Sequence, residues 1–144
     1  MPNENRLNPE KGRVFQEQVH KALEKYYGME FLLNYPVPIG KPPKTHKFDL
    51  VSINKEYAVE CKNIVWTIGR NRPSAKMAQC NEAVFYLSFL PSNVHKILVI
   101  RHDVHPVGNE TLAHSYVSAN RHLLRGVEVL EFNPTSNELA FKDK

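Results

Sequence analysis

The sequence predicts an α/β protein, a mixed β-sheet flanked by helices with the element order αβββαβαβ. Three observations carry that expectation. Phe15, Val19, Ala22, Leu23 and Tyr26 recur at helical spacing near the N-terminus. Two alternating runs meeting at Asn54-Lys55 read as a hairpin. Helix-like and strand-like segments then alternate, which places helices on both faces of a sheet. A chain of 144 residues, 42% hydrophobic and 24% charged, fits one domain spanning residues 1–144 around one core.

The first helix is expected to start with Asn8 as cap and Pro9 at the first helical position, and to stop at Gly28. Phe31 to Ile39 reads as a strand entering a loop, Gly40-Lys41-Pro42-Pro43-Lys44-Thr45. Lys47 to Ile53 and Glu56 to Lys62 are the hairpin strands. Asn63 to Arg72 is irregular. A second helix runs from about Pro73 to Leu90, ended by Pro91. Val94 to Arg101 is an apolar strand, Glu110 to Leu124 a third helix stopped by Gly126, and Val127 to Phe132 a last strand before a polar tail.

Composition narrows the function classes. No apolar run approaches the roughly 18 residues of a membrane span, and the first residues contain no secretory h-region. A cytoplasmic location and no membrane partner are therefore expected. Cys61 and Cys80, both among apolar neighbours, read as buried reduced thiols. Net charge is +4, but its placement says more. Phe31 to Phe48 contains Lys41, Lys44 and Lys47 and no acid, and Cys61 to Asn81 contains Lys62, Arg70, Arg72 and Lys76 and no acid. These windows carry +3 and +4, so the rest of the chain sums to −3. Two solvated loops would also have this charge. The alternative is a surface for phosphate, because the windows flank the most unusual segment of the chain.

That segment is the hairpin. With Asn54 and Lys55 as its turn, Leu50 opposes Val59 and Asp49 opposes Glu60. Opposed residues project to one face with Cβ atoms roughly 4.5–5.5 Å apart. Lys62, two residues beyond Glu60, shares that face. Two carboxylates are thus placed side by side with an ammonium one step along. Opposed anions destabilise a hairpin, and carboxylates in apolar runs are costly unless neutralised. A hard divalent cation removes both problems and keeps waters for a substrate phosphate. Lys62 could then orient a water or offset charge developing on phosphorus. A surface hairpin with a simple Lys62–Glu60 pair is the plainer reading of the same residues.

Asp49, ten intervening residues and then Glu60-Cys61-Lys62 resemble the motif of the PD-(D/E)XK nuclease superfamily. That group has the restriction-endonuclease-like fold and includes Holliday junction resolvases, restriction enzymes and some homing endonucleases. The resemblance extends from the first helix to about Ile100. It implies catalytic roles for Asp49, Glu60 and Lys62. Mg²⁺, or Mn²⁺ in its place, would be held by Asp49, Glu60 and the Cys61 backbone carbonyl, with Lys62 supporting the attacking water. The proline that usually precedes the Asp is Phe48 here. Many members carry an acid on the first helix four residues after a glycine; counting from Gly12, that position is Gln16, with Glu17 beside it. The helix after the motif often points a Gln or Lys at the site, which makes Lys76 and Gln79 candidates.

The resemblance implies a metal-dependent nuclease, foremost a DNA endonuclease. A junction- or flap-specific nuclease and a catalytically silent nucleic-acid-binding module with the same fold are the alternatives. Lys41, Lys44, Lys47, Arg70, Arg72 and Lys76 are the expected nucleic-acid contacts. His102, Asp103 and His105 lack a completing ligand cluster and read as solvated loop residues. Trp66 is either a base-stacking residue or a cover for the core edge. The apolar segment AVFYLSFL is deeply buried or shared with a second copy, so a homodimer is a candidate assembly.

Overall fold

The computed structural model describes residues 4–67, 69 and 71–143. Six strands form one sheet in sequential order: β1 (Phe31–Ile39), β2 (Lys44–Ser52), β3 (Tyr57–Lys62), β4 (His95–Arg101), β5 (Val127–Asn133) and β6 (Glu138–Asp143). The first three form an antiparallel meander, β3, β4 and β5 run parallel, and β6 returns antiparallel to β5. The parallel centre explains the strand His95–Arg101. Ile97, Leu98, Val99 and Ile100 are all fully buried because both faces of β4 are covered.

Helix α1 (Glu4–Tyr27) lies on one face and α2 (Ser74–Ser88) and α3 (Leu112–Asn120) on the other. Phe15, Val19 and Leu23 of α1 pack with Phe31, Leu50, Val59, Ile97, Val99, Leu130 and Phe132. Met77, Cys80, Ala83, Val84 and Leu87 of α2, with Leu112, Tyr116 and Val117 of α3, pack on Phe48, Val51, Leu98, Ile100 and Val129. The expected single core is thus two cores separated by the sheet. Tyr116 Oη donates to Asn81 Oδ1 at 2.8 Å and ties α3 to α2. Among the described residues no helix is long and apolar enough to cross a membrane.

Several expectations are corrected. Helical backbone begins at Glu4, so Asn8 is not a cap and Pro9 falls in the second turn, where its missing N–H removes one intrahelical bond. The third helix starts at Leu112. Thr111 is its cap, accepting from the His114 N–H at 3.1 Å. The polar tail, expected to follow the last strand, adds a strand of its own: Asn137, in the left-handed region at φ 62, donates to the Asn133 carbonyl at 2.7 Å and turns the chain back as β6. Leu139 and Phe141 of β6 then cover the α1 core. The order is therefore αβββαβαββ.

The β2–β3 turn also differs from the expected two-residue form. Residues 53–56 make the connection, the Lys55 N–H donates to the Ser52 carbonyl at 2.9 Å, and Lys55 has φ 64. Asn54 Oδ1 accepts from the Glu56 N–H and from the Ser52 hydroxyl. This longer connection is centred on the same midpoint as the expected one, so the pairing Leu50↔Val59 is preserved.

Candidate active site

Asp49 sits at a break in β2. Strand residues two apart normally share a face. Here Phe48 packs with the α2/α3 core, while Leu50 packs with the α1 core. The β1–β2 ladder skips this point: Leu33 pairs with Leu50 and Tyr35 with Phe48, while Asn34, between them in sequence, has φ 51. Gln16 pins the irregularity from α1. Its Nε2 donates to the Asp49 carbonyl at 2.9 Å and to Asn34 Oδ1 at 3.1 Å. The break matters because the β2–β3 ladder covers only Leu50↔Val59 and Val51↔Ala58. Past Leu50 the two strands part, and a cleft of about 520 Å³ opens between them, reached by both α1 and α2.

Asp49, Glu60 and Lys62 all line this cleft, as the hairpin register requires. Asp49 Oδ2 accepts from the Cys61 N–H at 2.7 Å, and the Asp49 carboxylate is close enough to Glu60 to shift its titration. Glu60 is 5% exposed. Burial and the Asp49 charge push its pKa up from 4.5 to about 9, with Lys62 opposing the rise. Without a cation, Glu60 is therefore driven toward its protonated form. Burial also pushes the Cys61 thiol up, reinforced by both carboxylates, so it offers no thiolate.

The sequence reading missed His46. Its Nε2 lies 2.6 Å from Glu60 Oε1. Its ring stacks on Tyr86 of α2, with centroids 3.9 Å apart and planes 10° apart, and meets Phe48 edge-on at 4.6 Å. Burial lowers the His46 pKa, Lys62 adds to the lowering, and Asp49 opposes it, so the imidazole is neutral at pH 7. Arg13 of α1, Asn34, and Glu82 and Ala83 of α2 complete the walls.

The helix candidates divide. Gln16 is at the cleft, but its amide is spent on Asn34 and the Asp49 backbone. Glu17 is not: it is exposed and paired with Arg13 at 2.7 Å, on the side of α1 away from the core. Lys76 and Gln79 are exposed and lie outside the cleft lining. They share a helical stripe with Ala83 and Tyr86, but only the C-terminal half of that stripe reaches the cleft.

Of the basic residues, Lys47 lines the cleft. Lys41 and Lys44 are exposed at the far end of the β1–β2 hairpin, with Lys44 five residues, roughly 16 Å of extended strand, from Asp49. Arg72 is exposed in the loop before α2. Arg70 lies outside the described residues.

The second cluster is structural and not solvated as expected. Asp103 Oδ2 accepts from the Trp66 N–H at 2.8 Å and the Asp103 carbonyl accepts from Trp66 Nε1 at 3.1 Å. Trp66 packs on the α2/α3 core and covers its edge. His102 Nδ1 lies 2.7 Å from Glu131 Oε1. On α2, Phe85 and Phe89 are exposed and pack edge-on against each other, so the apolar helix is buried on one side only.

Among the described residues no group of three or more His, Cys, Asp or Glu side chains is arranged to hold a metal ion. The fit to Mg²⁺ rests on hard donors: two adjacent carboxylates, one nearly buried and pushed toward its protonated form by burial and by the charge of the other. Mg²⁺ is commonly held by one or two carboxylates, its remaining positions filled by water and substrate phosphate. The donor set meets that requirement for one ion. No family model matches the chain, and neither a curated protein nor a solved structure matches it.

Proposed function

We propose that this chain is a metal-dependent nuclease of the PD-(D/E)XK type, cutting phosphodiester bonds, foremost in DNA. The observation that supports this best is the convergence of Asp49, Glu60 and Lys62 in one cleft at the point where β2 and β3 separate. Asp49 and Glu60 would hold Mg²⁺ or Mn²⁺, and the Cys61 carbonyl is the third ligand by resemblance. The ion would supply Lewis-acid activation of the phosphate and of the attacking water.

The remaining work falls to the chain's own side chains. The Cys61 N–H fixes Asp49 through Oδ2. Glu60 would hold a cation as the carboxylate, its proton passing to solvent. Lys62 Nζ, on the same face as Glu60, orients the water that attacks phosphorus and offsets the charge that grows on the phosphoryl oxygens. Lys47 and Arg13 at the walls bind neighbouring phosphates and set the position of the backbone. Lys41 and Lys44, on the projecting hairpin, extend that track.

One observation favours the silent binding module: burial and the Asp49 charge push the Glu60 pKa up to about 9, which disfavours the anionic form a cation needs. Purified protein with Mn²⁺ or Mg²⁺ and a panel of linear, nicked, single-stranded, flap and four-way-junction DNA separates the readings. Cleavage of linear duplex supports the endonuclease, and cleavage of branched substrates alone supports the structure-specific enzyme. Binding with no metal-dependent cleavage supports the silent module.

A further inference from the structure

We infer that His46 is a positioning residue for the metal carboxylate Glu60, which its ring holds in place through a single hydrogen bond. The inference rests on the metal-site reading above and assigns it a residue outside the motif.

The geometry is specific. Glu60 on β3 and Asp49 on β2 lie just past the last β2–β3 pair, Leu50↔Val59, and both line the cleft that opens there. His46 is three residues further along β2 and reaches Glu60 only because β2 breaks at Asp49. The imidazole is fixed by its packing. Tyr86 stacks on it at 3.9 Å, and Phe48 meets it edge-on at 4.6 Å. Nε2 is 2.6 Å from Glu60 Oε1. Glu60 is therefore gripped by His46 in a pocket where water has little access, its residue being 5% exposed.

A carboxylate that must bind an ion in one orientation gains from a partner that removes its rotational freedom. Hydrogen-bond partners of metal ligands typically contribute roughly 10- to 100-fold in metal affinity. With Nε2–H as donor, His46 satisfies one oxygen of the ionised Glu60 without adding a charge that would repel a cation. Lysine or arginine here would compete with the ion. A neutral ring donor does not.

Mn²⁺ alone, titrated against the full chain and read by the EPR signal of the free ion, tests this without any cleavage measurement. His46→Phe keeps a ring for Tyr86 and Phe48 but removes the donor, and His46→Gln restores a donor without the ring. The expected result is Mn²⁺ binding roughly 10- to 100-fold weaker in His46→Phe, with His46→Gln recovering most of the loss. If His46→Phe does not fold, His46→Leu takes its place in the comparison. Affinity within twofold of wild type in the donor-less variant overturns the inference and leaves the metal site standing. Equal weakening in the donor-less and Gln variants overturns it too, because packing and not the hydrogen bond would then matter. A wild-type chain that takes up no Mn²⁺ removes both the inference and the metal reading.

Discussion

Glu60→Gln should flatten the pH dependence of stability in the metal-free protein. The folded state raises the Glu60 pKa from 4.5 to about 9. Between those two values the folded chain binds a proton that the unfolded chain has released. Stability from this group is then complete below pH 4.5 and is lost as pH rises toward 9, at up to about 1.4 kcal/mol per pH unit. From pH 6.5 to 8.5 the loss amounts to at most about 3 kcal/mol. His46, whose pKa is lowered from 6.5 in the folded chain, contributes in the opposite sense near the low end of this window, and because it is present in both proteins its contribution cancels when wild type is compared with Glu60→Gln. The glutamine amide mimics the protonated acid, yet it cannot ionise. Urea unfolding in EDTA at pH 6.5, 7.5 and 8.5 should therefore show wild type losing stability relative to Glu60→Gln, by up to about 3 kcal/mol across the range. Parallel curves would refute the reasoning, since Glu60 would then titrate alike folded and unfolded.

Asp49→Asn should be no less stable than wild type without metal, because the Asp49 charge is one of the causes that force Glu60 to hold a proton above its ordinary range, and its removal offsets a weaker bond to the Cys61 N–H. It should also lose most of the stabilisation by Mg²⁺, which in wild type should reach about 3 kcal/mol at a hundred times Kd, as read by thermal unfolding across a metal series. Lys62→Ala should keep that metal response while losing cleavage. Replacing Lys41, Lys44 and Lys47 together by Ala should lower the slope of log affinity against log salt by about 2 to 3 on duplex DNA, measured by fluorescence anisotropy. Lys76→Ala, outside the cleft, should leave the slope unchanged.

The acid pair was legible in the sequence because a hairpin register depends only on the midpoint of its turn. Residues 53–56 replace the expected two-residue turn, yet Leu50 still faces Val59. The resemblance pointed to Gln16 as the place of a helix acid; the residue does line the cleft, but as an amide that braces Asn34 and the Asp49 carbonyl, a task the sequence did not reveal. The break in β2 was not legible. It needs a positive φ at Asn34 and a donor 18 residues away on α1, and neither leaves a mark in strand periodicity. His46 was hidden for the same reason. A regular strand would carry it past Glu60, and only the break brings the two together. Strand β6 was missed because it has just two large apolar residues, Leu139 and Phe141, and owes its form to pairing with β5. For Lys76 and Gln79 the stripe was right, but the direction of the helix axis, which decides how far along it meets the cleft, is a tertiary fact.

The central claim is metal-dependent phosphodiester hydrolysis at Asp49, Glu60 and Lys62. It is tested most directly by incubating end-labelled DNA, duplex and branched, with wild type and Asp49→Asn purified side by side, with Mn²⁺ or with EDTA. The account predicts discrete cleavage by wild type with Mn²⁺, none with EDTA, and none by Asp49→Asn under either condition. Cleavage that survives Asp49→Asn, or DNA left intact by a wild-type protein that binds Mn²⁺, would contradict it.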